Sequence, residues 1–276
     1  MKSNKQPFAT NCCFIFFYLI IIIEIERRNK ILKKNLYVII FMIIANLFLI
    51  LPLSAAETEC YFLNENGVCF QEEEYMFLTE MYWEGIQKMF TQNDYDKLIQ
   101  SQVFHNEVDT VIYVEKGNLR NTSYSDGKKS IKISKTCVST NCVVATTLTW
   151  IKNPNIRSYD VIGAYLENVN RLDVPSTMVV IDDSTRQNYD TVKYDNNGFG
   201  VSVLLPLTAG NIKVSQTFKT SKGGTVYASY QHANKNISLI NSNAYTISKN
   251  GYGNVFNFIG NIANIYDKMN GVSINV

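Results

Sequence analysis

Ser130-Ile131-Lys132-Ile133-Ser134-Lys135-Thr136-Cys137 and Val143-Val144-Ala145-Thr146-Thr147-Leu148-Thr149-Trp150 are the two runs whose reading decides the fold. Both are rich in Val, Ile and Thr and alternate apolar with polar residues. That period of two belongs to strands, whose successive side chains point to opposite faces. The four-residue join Val138-Ser139-Thr140-Asn141, bracketed by Cys137 and Cys142, makes them antiparallel neighbours.

The same vocabulary runs from about Val108 to the end of the chain. Further strands are expected over 111–115, 159–166, 178–181, 191–194, 199–205, 213–219, 225–232, 237–240, 244–248, 254–259 and 272–276. Turn residues separate them: Ser125-Asp126-Gly127, Asn196-Asn197-Gly198, Lys222-Gly223-Gly224, Asn250-Gly251 and Asn270-Gly271. Leu205-Pro206-Leu207-Thr208-Ala209 has the outline of a sortase motif but reads as a Pro-marked turn after a strand. The expected fold is mainly β, a secreted antiparallel β-sandwich, with jelly-roll or open-barrel variants compatible with the same pattern.

Ahead of the sandwich the composition turns acidic. Cys60 and Cys69 flank Asn64-Glu65-Asn66-Gly67, a hairpin turn signal. Glu72-Glu73-Glu74 places negative charge where a helix N-terminus is positive. Tyr75, Leu78, Tyr82, Ile86 and Met89 then recur at helical spacing, predicting one helix with that face buried. Thr91 and Asp94 form a capping box that opens a second short helix through Tyr95, Leu98 and Ile99. A disulfide hairpin and two short helices therefore precede the sandwich.

Further upstream, Lys33-Lys34, the apolar run 36–53 and Ser54-Ala55-Ala56 succeed one another as a basic flank, a hydrophobic segment and a small-residue cleavage site. Residues 32–56 thus read as a signal peptide cut before Glu57. The alternative is an uncleaved anchor, since about 18 apolar residues span a bilayer. Residues 1–31 fit neither element. Glu26-Arg27-Arg28 can be encoded by a purine-rich bacterial ribosome-binding sequence, which places the translation start at Leu32; the rival is a helical hairpin in the membrane. The expected segments are 1–31 as a non-structural extension, 32–56 as signal, 57–103 as acidic head and 104–276 as sandwich.

Four of the six cysteines follow residue 56, and in an exported chain they imply two disulfides with three connectivities. Sequence locality selects Cys60 with Cys69 and Cys137 with Cys142, because each pair can sit across neighbouring strands. Seven of the 26 Lys/Arg and two of the 24 Asp/Glu precede Glu57, so the remainder holds 19 bases against 22 acids, a formal charge of −3. Ten of those acids stand against Lys88 and Lys97 between Glu57 and Lys97, so a head of −8 precedes a body of +5. The charges read as solvated faces, or as a basic body that prefers an anionic polymer or membrane surface, with the acidic head docking on that body or competing for the surface. Scattered bases without Arg/aromatic clustering, on an exported chain, speak against nucleic acid.

Enzyme signals are thin. GxSxG, GxGxxG, P-loop and HExxH motifs are absent, and only two histidines occur. His105 lies at the junction of helix and sheet as a hinge or packing residue, and His232 ends a strand. Asp182-Asp183, read as strand neighbours, would point to opposite faces. No catalytic residue, metal site or cofactor is assigned. Recognition is better supplied: rings and amides crowd the last third, and the candidate ligand contacts are Tyr227, Tyr230, His232, Asn234 and Tyr252. The plainer account of the same pattern is that the rings are core and the Asn residues form turns. The chain is accordingly read as a secreted extracellular binding or surface-interaction protein for a glycan, a cell-wall polymer or a protein. A membrane-active β protein inserting a hairpin over 213–232 is the alternative, and a secreted hydrolase the third.

Overall fold

The computed structural model describes residues 60–115, 128–195, 197–208, 210–250 and 253–276. The segments 1–31 and 32–56, the turn 125–127 and the candidate Tyr252 lie outside the described residues. In chain order, β1 (Phe62–Leu63) and β2 (Cys69–Phe70) form a hairpin, followed by α1 (Glu72–Met81) and α2 (Gln92–Gln100). Then come β3 (Asp109–Val114), β4 (Lys128–Val138), β5 (Asn141–Lys152), β6 (Tyr159–Glu167), β7 (Ser176–Ile181) and β8 (Thr185–Tyr189). β9 (Lys193–Asp195), β10 (Gly198–Leu204), β11 (Ile212–Ser221) and β12 (Thr225–Gln231) follow, with α3 (Leu239–Ser242), β13 (Tyr245–Ile247), β14 (Phe256–Phe258) and β15 (Val272–Asn275) closing the chain.

The strands form an antiparallel sandwich. One sheet is ordered β3-β4-β5-β11-β7-β8 and the other β15-β12-β6-β10-β9. β4 and β5 pair with Cys137 opposite Cys142 and Val138 opposite Asn141, so the join tightens to Ser139 and Thr140. Ser139 adopts a left-handed φ of 54° to close it. Both expected disulfides are present, with Cα separations of 5.5 Å for Cys60–Cys69 and 4.0 Å for Cys137–Cys142.

Alternation sorts the side chains into layers. Ile131, Ile133, Val144, Leu148, Trp150, Val214 and Phe218 of the first sheet meet Ile162, Ala164, Phe199, Val201, Val226 and Tyr230 of the second. The outward residues Val143, Ala145, Met178 and Val180 are buried in turn by the head, through Phe70, Phe77, Leu78, Met81, Ile86 and Phe104. The other sheet has its outer face covered by the C-terminal segment, where Tyr245, Ile247, Val255, Phe256 and Tyr266 pack on Val161. The central strands of both sheets are thus buried on two faces, which is why β5 and β6 contain near-continuous buried runs. Asp94 on α2 pairs with Arg186 on β8, so the acidic head does dock on the body, mainly through apolar contact.

Five expectations are corrected. The helix expected to reach Met89 ends at Met81, because Gly85 turns left-handed at φ 96° and a 3-10 helix, Ile86–Met89, follows at a new register. Residues 237–240 are not a strand: the Ser238 hydroxyl accepts from the Asn241 N–H at 3.3 Å and caps α3. Thr185–Tyr189 forms β8 although its polar sequence carries no apolar alternation, because an edge strand needs only the β7 ladder. Asp182 and Asp183 lie in the β7–β8 turn, both left-handed, and not in a strand. Finally, 213–232 is not a hairpin. β11 pairs with β5 and β7, β12 pairs with β6 and β15, and Lys222-Gly223-Gly224 crosses between sheets. A Cβ on Gly224 would meet the Glu167 carbonyl oxygen at 2.1 Å, so only glycine lets the crossing pass that close. The motive for an inserting strand pair is therefore lost. Among the described residues no helix is long and apolar enough to cross a membrane.

Candidate functional site

The parity that sends Ile131 and Ile133 inward also sends Lys129 inward, leaving its side chain 3% exposed. Likewise Asp160 shares a face with Ile162 and Ala164 and is completely buried. A buried charge is tolerable only when paired and hydrogen-bonded, and both are. Lys129 Nζ lies 3.0 Å from Glu115 Oε2 and 2.5 Å from Asp267 Oδ2, and 5.1 Å from the centre of the Trp150 ring. Asp160 accepts His232 Nδ1 at 2.9 Å, the Ala233 N–H at 2.9 Å and the Tyr230 hydroxyl.

Two links make these one network. Trp150 Nε1 donates to the Tyr230 oxygen at 3.3 Å and its ring meets His232 edge-on, 4.9 Å between centres. The His232 N–H donates to Asp267 Oδ1 at 3.1 Å. Burial pulls the His232 imidazole down, but the adjacent Asp160 carboxylate, by attraction and by hydrogen bond, holds it above its ordinary value of 6.5. Burial, reinforced by Asp160, pushes Tyr230 well above the phenol range, so it stays a donor. His232 Nε2 is buried with no partner among the described residues.

The sequence candidates divide. Tyr230 and His232 come together, but in the interior, where neither offers a face to a ligand. Tyr227 lies on the outer side of β12; Lys249 Nζ sits 4.4 Å over its ring and its hydroxyl donates to Glu167 Oε2 at 3.0 Å. Asn234 is half-buried, its N–H donating to the Ile265 carbonyl at 2.8 Å. His105 is exposed, 3.4 Å from Glu73, at a shallow depression shared with Lys135, Lys222 and Val276. Lys129, Asp160 and Asp267 escaped the sequence reading, although charged residues at inward parity in strands were the signal that marks two of them. Among the described residues no group of His, Cys, Asp and Glu side chains could hold a metal ion.

One end of the sandwich gathers a second group. Arg157 donates to the Pro206 carbonyl at 2.7 Å, Ser158 to the Ile237 carbonyl at 3.2 Å, and Ser242 to Ser202 at 2.8 Å. These bonds hold the loop after β10 and the α3 turn at that end, where Leu204, Leu207, Leu239 and Ile240 are solvent-exposed.

No family model matches the sequence, and no curated protein matches it. Solved structures with partial similarity include the KRT10-binding region domain of the pneumococcal serine rich repeat protein PsrP, at TM-score 0.31 and 13% identity over 45% of this chain and 88% of that one. The collagen binding domain of the Erysipelothrix rhusiopathiae surface protein RspB superposes at TM-score 0.27 and 14% identity, over 45% of this chain and 49% of that one. This chain spans about half the length of the RspB domain, and both superpositions leave more than half of this chain unmatched.

Proposed function

We propose that the protein is a secreted extracellular binding protein that meets a protein ligand through the loops at the Leu204 end of the sandwich. The observation that carries this is exposure: Leu207 and Ile240 are 86% and 85% accessible, with Leu204 and Leu239 close to them in sequence, on the end of β10, the loop after it and α3, which the Arg157–Pro206 and Ser242–Ser202 hydrogen bonds hold. Grouped exposed apolar side chains on a rigid scaffold are the usual mark of an interaction surface. The carboxylates that converge in the sandwich, Asp160, Asp267 and Glu115, are engaged by His232 and Lys129. The signal-like segment 32–56 and two disulfides, which persist in an oxidising compartment, support export.

The test is binding of the secreted protein to a panel of purified extracellular proteins and cell-wall polysaccharides, repeated with Leu207→Ser and Ile240→Ser. Both changes are at exposed positions, so melting temperature should stay put while affinity falls by about tenfold or more, as for truncated interface anchors. Binding that persists in both variants and disappears at high salt would assign the contact to the basic body instead.

A further inference from the structure

An amine, a carboxyl group to receive it and a second carboxyl group to carry protons lie together at Lys129, Asp267 and Glu115, walled off by Trp150. We propose that Lys129 and Asp267 condense into an intramolecular amide that joins the two sheets, with Glu115 as proton relay. The nucleophile is on β4 of one sheet, and Asp267 lies in the segment leading to β15 of the other. They are 138 residues apart in sequence, so only the folded chain brings them together.

The Lys129 ammonium passes one proton to Asp267 Oδ2, giving a neutral amine beside a neutral acid. The nitrogen lone pair forms a bond to Asp267 Cγ, and the carbonyl π pair moves onto Oδ1, which already accepts the His232 N–H at 3.1 Å. That backbone donor steadies the developing oxyanion. The nitrogen then gives a second proton to Glu115, 3.0 Å from Nζ, and Glu115 returns it to Oδ2. The Cγ–Oδ2 bond breaks, water leaves, and Oδ1 re-forms the carbonyl of a secondary amide. One C–N bond is gained, one C–O bond is lost, nothing is oxidised, and Glu115 ends as it began.

In water an ammonium and a carboxylate do not condense, so two features must reverse the preference. Tethering raises the effective concentration of well-oriented partners to around 10⁵ M or more. Burial penalises the ion pair, and condensation replaces two buried charges by one neutral amide. Burial lowers Lys129, but Asp267 and Glu115 together hold it above its usual range, so the ammonium is the resting form and transfer within the pair opens the reaction. Asp267 and Glu115 retain 15% and 29% side-chain exposure, which leaves the released water an exit.

Mass spectrometry of the secreted protein under reducing conditions decides the matter. The chain from its determined N-terminus should be lighter than its sequence by one water, and a tryptic map should yield one branched peptide carrying both Lys129 and Asp267, uncut after Lys129. Lys129→Arg and Glu115→Gln should each restore the full mass. Wild-type protein at full mass with both residues in linear peptides would reduce the cluster to a buried ion triad and overturn the proposal. So would a deficit that survives in Lys129→Arg or a branch to Glu115; a deficit that survives in Glu115→Gln removes the relay. The wild-type reading does not depend on whether any variant folds.

Discussion

Three donors converge on the Asp160 carboxylate, and the titration of one of them makes the interior sensitive to pH. Because the folded-state pKa of His232 is raised above 6.5, its contribution to stability is complete below that value and is lost as pH rises through the folded pKa. Thermal melts should therefore fall as pH is raised above 6.5, and the fall should vanish in His232→Gln; an NMR titration of the imidazole placing it below 6.5 would refute the sign. Tyr230→Phe removes a hydroxyl that serves Asp160 and accepts from Trp150, leaving a buried acceptor and a buried N–H short of a partner. Chemical denaturation should show a loss of about 1–3 kcal/mol. Asp160 and Lys129 were legible only as parity: each interrupts an inward apolar series, but a single chain does not show what stands opposite. Asp160 finds its partners on and just after the neighbouring strand β12, and Lys129 finds Glu115 after β3 and Asp267 on the segment leading to the other sheet.

At the level of the elements, Asn64 is the rivet of the head. Its Nδ2 donates to the carbonyls of Gln87 and Phe90, each at 2.8 Å, while its Oδ1 accepts the N–H groups of Asn66 at 3.0 Å and Val68 at 2.9 Å. One amide thus closes the β1–β2 turn and ties it to the turn after α1. Asn64→Ala takes the acceptor from the Asn66 and Val68 N–H groups and one of two donors from each of the Gln87 and Phe90 carbonyls, and should destabilise by about 2–4 kcal/mol in urea titration. An unchanged midpoint would mean that water replaces all four. The turn itself was legible as Asn64-Glu65-Asn66-Gly67, as were the Thr91–Asp94 capping box and most strands, because local chemistry determines them. Where the elements went astray the cause was tertiary. Gln87, wholly buried, bonds the Tyr75 carbonyl and Thr79 hydroxyl of α1, which folds the chain back where an uninterrupted helix was expected. β8 exists because β7 offers it a ladder, and the 213–232 pair separates because each strand finds better neighbours in different sheets.

On the scale of the whole molecule, the exported product should begin at Glu57 and carry Cys60–Cys69 and Cys137–Cys142, which N-terminal sequencing and a non-reducing peptide map would establish together. A long-range cysteine pair, or an intact 36–53 segment, would contradict that description. Rings of this size constrain the unfolded chain little, so each bond should contribute only roughly 2–3 kcal/mol. The sheet order has a consequence in time. In the six-stranded sheet β11 lies between β5 and β7, so the surface made by Val143, Ala145, Met178 and Val180 does not exist until residues beyond 212 arrive. The head, synthesised before the sandwich, must wait for that late strand with Phe77, Leu78 and Met81 uncovered. A chain stopped before Ile212 should therefore be aggregation-prone rather than half-folded, and the complete chain should refold in milliseconds to seconds, the pace of nonlocal β pairing.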